Sequence, residues 1–442
     1  MNFMNEDQTK DRIIEANARE YGPLFNYIPW IDEDGARLAT LERIRLLQTP
    51  GINVSCLGTK IHHGALSPGC QQCAGRAWSC LFISGRCNGR CFYCPTPQNV
   101  DDPPMSGSVP FHRAKDYADY VRFFRFGGAS ISGGEPFLDF DTSLAYVRAL
   151  RQTCGPELHI WLYTNGILAT EDKLRRLAAA GLNEIRFDIG ATDYSLEHAR
   201  LARGIVPTVT VEIPAVPEET ERLRALLPEL SAAGVSHLNL HQLRLTPHNA
   251  RHLLERDYTY VHGPKVTVLE SELCALELVA HGARHDLPLA INYCSFVYKH
   301  RFQGAASRER FGAKLLEEGE ELTASGHIRT LRTQAAGDGD WQTAPMIDVG
   351  EIPPDRQLKV TYAAAFVRAQ NNPNFSSCTV SISEDFQVVL ERHPVHADRL
   401  IDPQGFGQDL QAPQPDSVLP DYYSPRVENS YEWITPGLGM YF

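Results

Sequence analysis

Short apolar segments alternate with longer amphipathic segments between Trp78 and Cys294, and this alternation limits the possible folds more than any other feature. Regular strand–helix alternation is typical of parallel βαβ units. The sequence therefore predicts an α/β fold, an open or partial (β/α)6 barrel with its chemistry at the carboxyl ends of the strands. We expect strands at 79–83, 129–132, 158–163, 184–189, 208–213, 237–243 and 288–293. We expect the intervening helices at 113–124, 142–154, 171–180, 194–203, 218–233 and 266–283.

Breaks in the alternation divide the chain into four predicted parts. They are an N-terminal extension (1–75), the barrel (76–300), a small β-rich C-terminal domain (301–411) and a Pro- and Tyr-rich tail (412–442). The C-terminal part is expected to begin with a charged helix at 307–321, with Ser307 as its N-cap. Its β-type runs lie at 328–333, 346–349, 358–366, 379–382 and 386–390.

The charge and hydropathy of the chain exclude some classes of partner. A formal net charge of −12 argues against a broad nucleic-acid or anionic-membrane surface, because such partners require clustered Lys and Arg. The sequence has no apolar run near the roughly 18 residues that a membrane span requires. Its first residues are polar and of mixed charge, unlike a targeting peptide. We therefore expect a cytoplasmic protein that binds neither nucleic acid nor membrane.

Cysteines are concentrated in one region of the chain. Seven of the eleven fall in a short N-terminal segment, and without a secretion signal they indicate metal or redox chemistry rather than disulfides. Three of them, Cys87, Cys91 and Cys94, follow the first predicted strand with the spacing Cys-x3-Cys-x2-Cys. A four-iron cluster ordinarily takes four cysteines, so three leave one iron open to an exogenous ligand.

A second motif, Gly133-Gly134-Glu135-Pro136, follows the second predicted strand. Together with the cysteine spacing and Tyr93 before the third cysteine, it resembles the radical S-adenosylmethionine (SAM) superfamily. That resemblance implies a [4Fe–4S] cluster on the three cysteines, SAM on the open iron, and a 5′-deoxyadenosyl radical that abstracts hydrogen from a substrate. It also implies that Glu135 accepts from the methionyl ammonium and that the backbone at Tyr93 packs near the adenine.

Polar residues at the ends of the later strands are further candidates for SAM contacts. Thr164 and Asn165 end the third strand, Glu212 ends the fifth, and each also has an ordinary structural explanation. The others share a strand parity that directs side chains into the barrel, namely Arg186, Asp188, Asn239 and His241.

Four more cysteines suggest a second metal site. Cys70 and Cys73 form a Cys-x2-Cys pair before the first strand, and Cys56 and Cys294 are candidates to complete the ligand set. The pair, together with the Tyr-Cys-Ser that ends the barrel, is similar to a poorly characterised radical SAM group related to pyruvate formate-lyase activating enzymes. An auxiliary iron–sulfur cluster, a zinc ion and a redox-active dithiol all remain open.

The leading functional hypothesis is an enzyme that modifies a small molecule or a peptide by radical chemistry, with reduced flavodoxin or ferredoxin as electron donor. A glycyl-radical-enzyme activase is an alternative, although the segment 95–124 holds no cysteine for an inserted cluster domain. A cobalamin-dependent methyltransferase is another, although the usual Asp-x-His-x-x-Gly motif is absent from the sequence. The non-enzyme alternative is an iron–sulfur or zinc scaffold.

Overall fold

The structure is a computed structural model. It describes residues 6–107, 109–313, 316, 320–323, 325–326, 328–330, 333–335, 341–343, 378–382, 388–392 and 436–442.

Its helices are α1 (Glu6–Tyr21), α2 (Glu33–Leu47), α3 (Pro68–Ala74), α4 (Ala114–Phe123), α5 (Phe140–Cys154), α6 (Glu171–Ala179), α7 (Glu197–Ala202), α8 (Thr220–Ala232), α9 (Ala250–Leu253), α10 (Leu269–Arg284) and α11 (Gly304–Gly312). Strands up to the end of the barrel are β1 (Ile52–Ser55), β2 (Lys60–His63), β3 (Trp78–Phe82), β4 (Met105–Ser106), β5 (Val109–Pro110), β6 (Gly128–Ser132), β7 (His159–Thr164), β8 (Glu184–Phe187), β9 (Thr208–Pro214), β10 (His237–His241), β11 (Tyr260–Val261), β12 (Thr267–Val268) and β13 (Ala290–Cys294). Six further strands follow, β14 (Glu320–Leu322), β15 (Ile328–Thr330), β16 (Thr333–Ala335), β17 (Trp341–Thr343), β18 (Cys378–Ile382) and β19 (Val388–Arg392).

One sheet organises the barrel. Its order is β1-β2-β13-β10-β9-β8-β7-β6-β3-β4-β5, and the seven strands from β13 to β3 run parallel. Antiparallel hairpins extend both edges, so the sheet is open among the described residues. The predicted partial barrel is confirmed, and all seven predicted strands form.

The two faces of the parallel strands differ in chemistry. In β8, Ile185 and Phe187 join the apolar core, whereas the alternate residues Glu184 and Arg186 lie on the opposite face. Strands β9, β10 and β13 repeat this alternation, with apolar residues in the same core. Parallel strands are usually apolar on both faces. The polar inner face of these strands therefore indicates that the barrel interior is not simply an apolar core.

Helix α3 lies against that polar face. Ser67 caps it by accepting from Cys70 N–H, and Gly69 N–H donates to Glu184 Oε2 at 2.9 Å. A methyl group at Gly69 would lie 2.4 Å from Arg186 Nη2, so glycine is needed for this close approach. The hairpin β1–β2 meanwhile pairs with β13. The residues expected to form an N-terminal extension thus contribute to the barrel itself.

The helix expected at 307–321 is shorter and begins earlier. Helix α11 follows directly from a π-helical turn, Tyr298–Gln303, so Ser307 lies inside the helix and the N-cap prediction is wrong. A cap is unnecessary because Gln303 already has helical dihedral angles. Residues 320–321 belong to β14 instead.

Three hairpins, β14–β15, β16–β17 and β18–β19, occur in the β-rich region. The runs expected at 346–349 and 358–366 lie outside the described residues. In the tail, Tyr441 is buried and its ring stacks on the Arg43 guanidinium. The predicted domain boundaries stay predictions. Within the described part of the chain, no helix has the length and apolar character to cross a bilayer.

Replacing Glu184 by Ala should strongly destabilise the barrel. The carboxylate is fully buried, pairs with Arg186 at 2.7 Å and accepts from Thr210 Oγ1 at 2.9 Å. Removing one partner of such a pair leaves the other charge, here that of Arg186, buried without this partner, which costs about 3–5 kcal/mol of the free energy of unfolding. We expect a clear fall in the thermal unfolding midpoint, measured by circular dichroism, whereas Thr210→Val should lower it much less.

The Glu184 effect should also depend on pH. Burial raises the pKa of Glu184, but Arg186 and His159 outweigh burial and lower it to about 2. The stabilisation is therefore present above the ordinary pKa of the carboxyl and is lost as the pH falls towards 2. Equal midpoints for Glu184→Ala and Thr210→Val at neutral pH would contradict this account.

Candidate functional site

The three-cysteine loop leaves the end of β3. Gly89 N–H donates to Cys87 Sγ at 3.3 Å, and a methyl group at Gly89 would lie 3.4 Å from Cys87 Sγ and 3.7 Å from Cys91 Sγ. Both thiols therefore border the same small space. Burial raises the pKa of Cys87, and it raises that of Cys91 to about 12. These thiols keep their protons unless a metal centre replaces them.

The chemistry of these thiols bears on which kind of metal centre the loop could hold. Among the described residues, no three or more His, Cys, Asp and Glu side chains are grouped so that they could hold one metal ion. Cys91 nevertheless interacts electrostatically with both Cys87 and Cys94. Three thiols on one loop are the kind of donor that iron–sulfur clusters take. Their role as cluster ligands stays a prediction.

The Gly-Gly turn after β6 is joined to the start of this loop by its backbone. Gly134 N–H donates to Ser84 O and Glu135 N–H to Arg86 O, each at 2.8 Å. A methyl group at Gly134 would lie 2.1 Å from Arg86 O. Gly133 has a φ of +137°, which side-chain-bearing residues rarely adopt. The two motifs that the sequence separates by about forty residues thus form one unit.

Glu135 holds this unit to the next strand. Its buried carboxylate accepts from Phe137 N–H at 2.8 Å, Thr164 Oγ1 at 2.8 Å and Asn165 N–H at 2.7 Å. Burial raises its pKa, and these hydrogen bonds oppose the rise. Asn165 Nδ2 in turn donates to Asn88 Oδ1 at 2.8 Å. Thr164 therefore contacts Glu135 and Asn165 reaches the cysteine loop, and their predicted role as SAM contacts stays a prediction. Pro136 begins the 3-10 turn that follows Glu135.

Tyr93, in the cysteine loop, contacts Asp188 at the end of β8. Tyr93 Oη donates to Asp188 Oδ1 at 3.1 Å, and burial raises the pKa of Asp188 to about 6. Asn249 Nδ2 fixes the loop backbone by donating to Tyr93 O at 3.1 Å. Beside Tyr93 lies a cavity of about 300 Å³, bordered also by Arg90 and Tyr194. Cys91 of the cysteine loop also borders this cavity.

A separate charge network occupies the inner face of β8, β9 and β10. Arg186 donates to Glu184 and, through Nη1, to Glu212 Oε2 at 2.6 Å. Burial alone would raise the pKa of Glu212, but Arg186 and His241 hold it well below its usual range. Asn239 Nδ2 also donates to Glu212, at 2.9 Å. Arg186 is therefore committed to internal ion pairs and holds α3 through Ser67 Oγ.

His241 links this network to Lys299. Its Nε2 lies 2.5 Å from Glu212 Oε1 and its Nδ1 lies 2.7 Å from Lys299 Nζ. Burial and Lys299 lower the pKa of His241, but Glu212 and Cys294 outweigh them and raise it. Lys299 belongs to the π-helical turn, which no periodicity in the sequence indicates. Sequence reasoning therefore missed this residue.

The four remaining candidate cysteines surround a buried lysine that the sequence analysis also missed. Lys60 is 1% exposed, pairs across the sheet with Cys294 and interacts electrostatically with all four thiols. We call this group the lysine pocket; it consists of Lys60, Cys56, Cys70, Cys73 and Cys294. Burial alone would lower the pKa of Lys60, but the thiols raise it above its ordinary value.

Three comparisons with known proteins bear on this site. A family model described as the radical SAM superfamily matches residues 81–227, about one third of the chain. A protein of Methanocaldococcus jannaschii, provisionally named a glycyl-radical enzyme activating enzyme, is 27% identical over 251 residues. That match spans 54% of this chain and 65% of the relative.

A GTP 3′,8-cyclase of Rhodopirellula baltica is 31% identical over 114 residues, 26% of this chain and 31% of the relative. The chain thus spans less than two thirds of either relative. Among solved structures, SuiB of Streptococcus suis bound to S-adenosylmethionine has 12% identity and a TM-score of 0.40, covering 78% of this chain and 76% of SuiB.

Replacing Gly134 by Ala should disrupt the cysteine loop without unfolding the barrel. The added methyl group would meet the Arg86 carbonyl oxygen and force the loop away from the turn. In any protein that still holds a cluster, a displacement of about 1 Å at the reacting centre would cost roughly 100-fold in rate. We expect lower iron content after anaerobic reconstitution, measured by elemental analysis.

Gly204→Ala is the matched control, because Gly204 has a φ of +75° but nothing within 4 Å of an added methyl group. It carries backbone strain without a clash, so its iron content should match the unmodified protein. Normal iron content in Gly134→Ala would show that the contact is not needed.

Proposed function

Because the chain belongs to the radical SAM superfamily, we propose that it is an enzyme that modifies a small-molecule or peptide substrate by radical chemistry. Cys87, Cys91 and Cys94 would hold its [4Fe–4S] cluster. The observation that carries the proposal is the backbone joining of the cysteine loop to the Gly-Gly turn, through Gly134 and Glu135.

When bound, the cluster and SAM supply a strongly oxidising carbon radical by reductive cleavage of SAM. The residues of the chain would position the cluster and SAM. Gly133 and Gly134 present backbone close to the loop without side chains in the way. Glu135 ties the turn after β6 to the end of β7 through three hydrogen bonds to its carboxylate, which leave about one lone pair for an ammonium donor. Tyr93, held by Asp188 and Asn249, borders the cavity in which the adenine would lie.

The inner wall favours a polar substrate. His241 and Lys299 lie at the carboxyl end of β10 and in the turn after β13, and both are partly exposed, whereas the Glu212 carboxylate behind them is paired with His241. Charged groups that remain accessible at this edge of a barrel are available to recognise a substrate. Reduced flavodoxin or ferredoxin would supply the electron.

A glycyl-radical-enzyme activase is the second candidate. The support for it is the name of the Methanocaldococcus jannaschii relative, which is 27% identical over 251 residues. An activase acts on a partner protein, so it would leave a stable glycyl radical that electron paramagnetic resonance detects. Incubation with a glycyl-radical protein, SAM and reductant distinguishes the two functions.

Anaerobic incubation of the reconstituted protein with SAM and sodium dithionite should yield 5′-deoxyadenosine, measured by liquid chromatography and mass spectrometry. Cys91→Ala should reduce the product to background, because it removes a cluster ligand from the loop. Cys154→Ala is the control, because Cys154 ends α5 and lies outside the loop.

The product identifies the reaction class. S-Adenosylhomocysteine would indicate methyl transfer, the cobalamin-type alternative, and methylthioadenosine would indicate transfer of the aminocarboxypropyl group. Absence of every SAM-derived product from protein with an intact cluster would refute the enzymatic proposal and favour a scaffold.

A further inference from the structure

We propose that the lysine pocket is a second metal centre, in which Cys56, Cys70, Cys73 and Cys294 bind a soft metal as four thiolates and Lys60 offsets part of their charge. This site is separate from the Cys87–Cys94 loop, and the inference does not depend on the proposed function.

The first support is the convergence of the four thiols from separate parts of the chain. Cys56 comes from the β1–β2 loop, Cys70 and Cys73 from one turn of α3, and Cys294 from the end of β13. Cys294 pairs with Lys60 across β13 and β2, and Cys73 Sγ lies 2.9 Å from Tyr298 Oη, whose ring centre lies 4.2 Å from Lys60 Nζ. Pairing of β13 with β2 and insertion of α3 into the barrel are both needed to bring them together.

The second support is the polarity of the surroundings. A buried cysteine without a metal usually behaves as a small apolar residue. Here Gln303 Nε2 donates to Cys73 Sγ at 2.9 Å, and Tyr298 Oη lies 2.9 Å from the same sulfur. Asn292 Nδ2 points to Cys70 Sγ at 3.9 Å. Donors directed at sulfur are typical of the groups that orient and stabilise thiolate ligands.

The third support is the backbone that positions these groups. Cys56 and Leu57 both have left-handed conformations, with φ of 52° and 56°, which non-glycine residues adopt at a cost. Tyr298 and Gln303 begin and end a π-helical turn, a rare element that is frequent at functional sites. The left-handed loop positions Cys56, and the π-helical turn positions Tyr298 and Gln303 against Cys73 Sγ. The surrounding structure must hold both irregular segments in place.

Charge explains the presence of Lys60. Four thiolates around a divalent ion carry a net charge of −2, and such a charge is costly to bury unless a cation lies nearby. The Lys60 ammonium lies 4.2 Å from the centre of the Tyr298 ring, so a cation–π contact holds it at the wall of the pocket. Thiolate ligands select zinc, iron or an iron–sulfur cluster.

Binding of a single ion would require the thiols to move. Among the described side chains, no group of three or more is arranged to hold an ion as it stands. Rotation about the Cα–Cβ bonds would redirect the sulfurs to a common centre, while the ligands lose their thiol protons to solvent. No oxidant or reductant is needed when a zinc ion, a ferrous ion or a preassembled cluster binds.

The test uses the full chain with Cys87, Cys91 and Cys94 all replaced by Ala, so that the loop cluster cannot form. Purified anaerobically, this variant should retain metal: one zinc or one iron per chain for a single ion, or four irons with four sulfides for a cluster. Adding Cys70→Ala and Cys73→Ala should remove that metal, whereas adding Cys154→Ala should not. A folded triple variant without metal, or metal retained after loss of Cys70 and Cys73, would overturn the proposal.

A second measurement uses the same triple variant, in which the loop thiols cannot bind cobalt. Its metal-free form, titrated with Co²⁺, should develop thiolate-to-cobalt charge-transfer absorption, with visible bands of tetrahedral cobalt. Lys60→Met should weaken Co²⁺ binding by about 10–100-fold, the range for losing a supporting group around a metal site. Cobalt spectra without thiolate bands would also count against the site.

Discussion

Arg186 is enclosed between Glu184 and Glu212, and the inner half of the barrel is arranged around this ion pair. The guanidinium is 4% exposed, and its Nη2 also reaches Ser67 at the start of α3. Buried charges are stable only when paired and hydrogen-bonded, so these partners cannot be moved independently. The position of α3, and hence of Cys70 and Cys73, follows from this interaction.

The same network connects the two candidate metal regions. Glu212 contacts His241, and His241 contacts both Lys299 and Cys294 at the lysine pocket. On the other side, His241 lowers the pKa of Asp188 against the larger effect of burial, and Asp188 accepts from Tyr93 of the cysteine loop.

Much of the barrel could be predicted from the sequence, since apolar periodicity records which face of each strand meets the helices. The ends were less certain. The strand expected at 237–243 ends at His241, because Leu243 and Leu245 belong to a second small core with Tyr260 and Val266. Apolar residues continue past the strand, so the pattern alone could not locate its end. The π-helical turn has no periodic signature at all.

The sequence by itself determined the α/β class, the three-cysteine loop and the Gly-Gly turn, because these depend on local spacing and on backbone that only glycine can supply. Tertiary structure alone decided that Arg186 would be taken up in ion pairs and that Lys60 would lie among four thiols. Strand pairing between β2 and β13 and the seating of α3 in the barrel create those neighbours. Residues distant in sequence meet only when sheet register and helix docking bring them together, and local spacing carries no record of that.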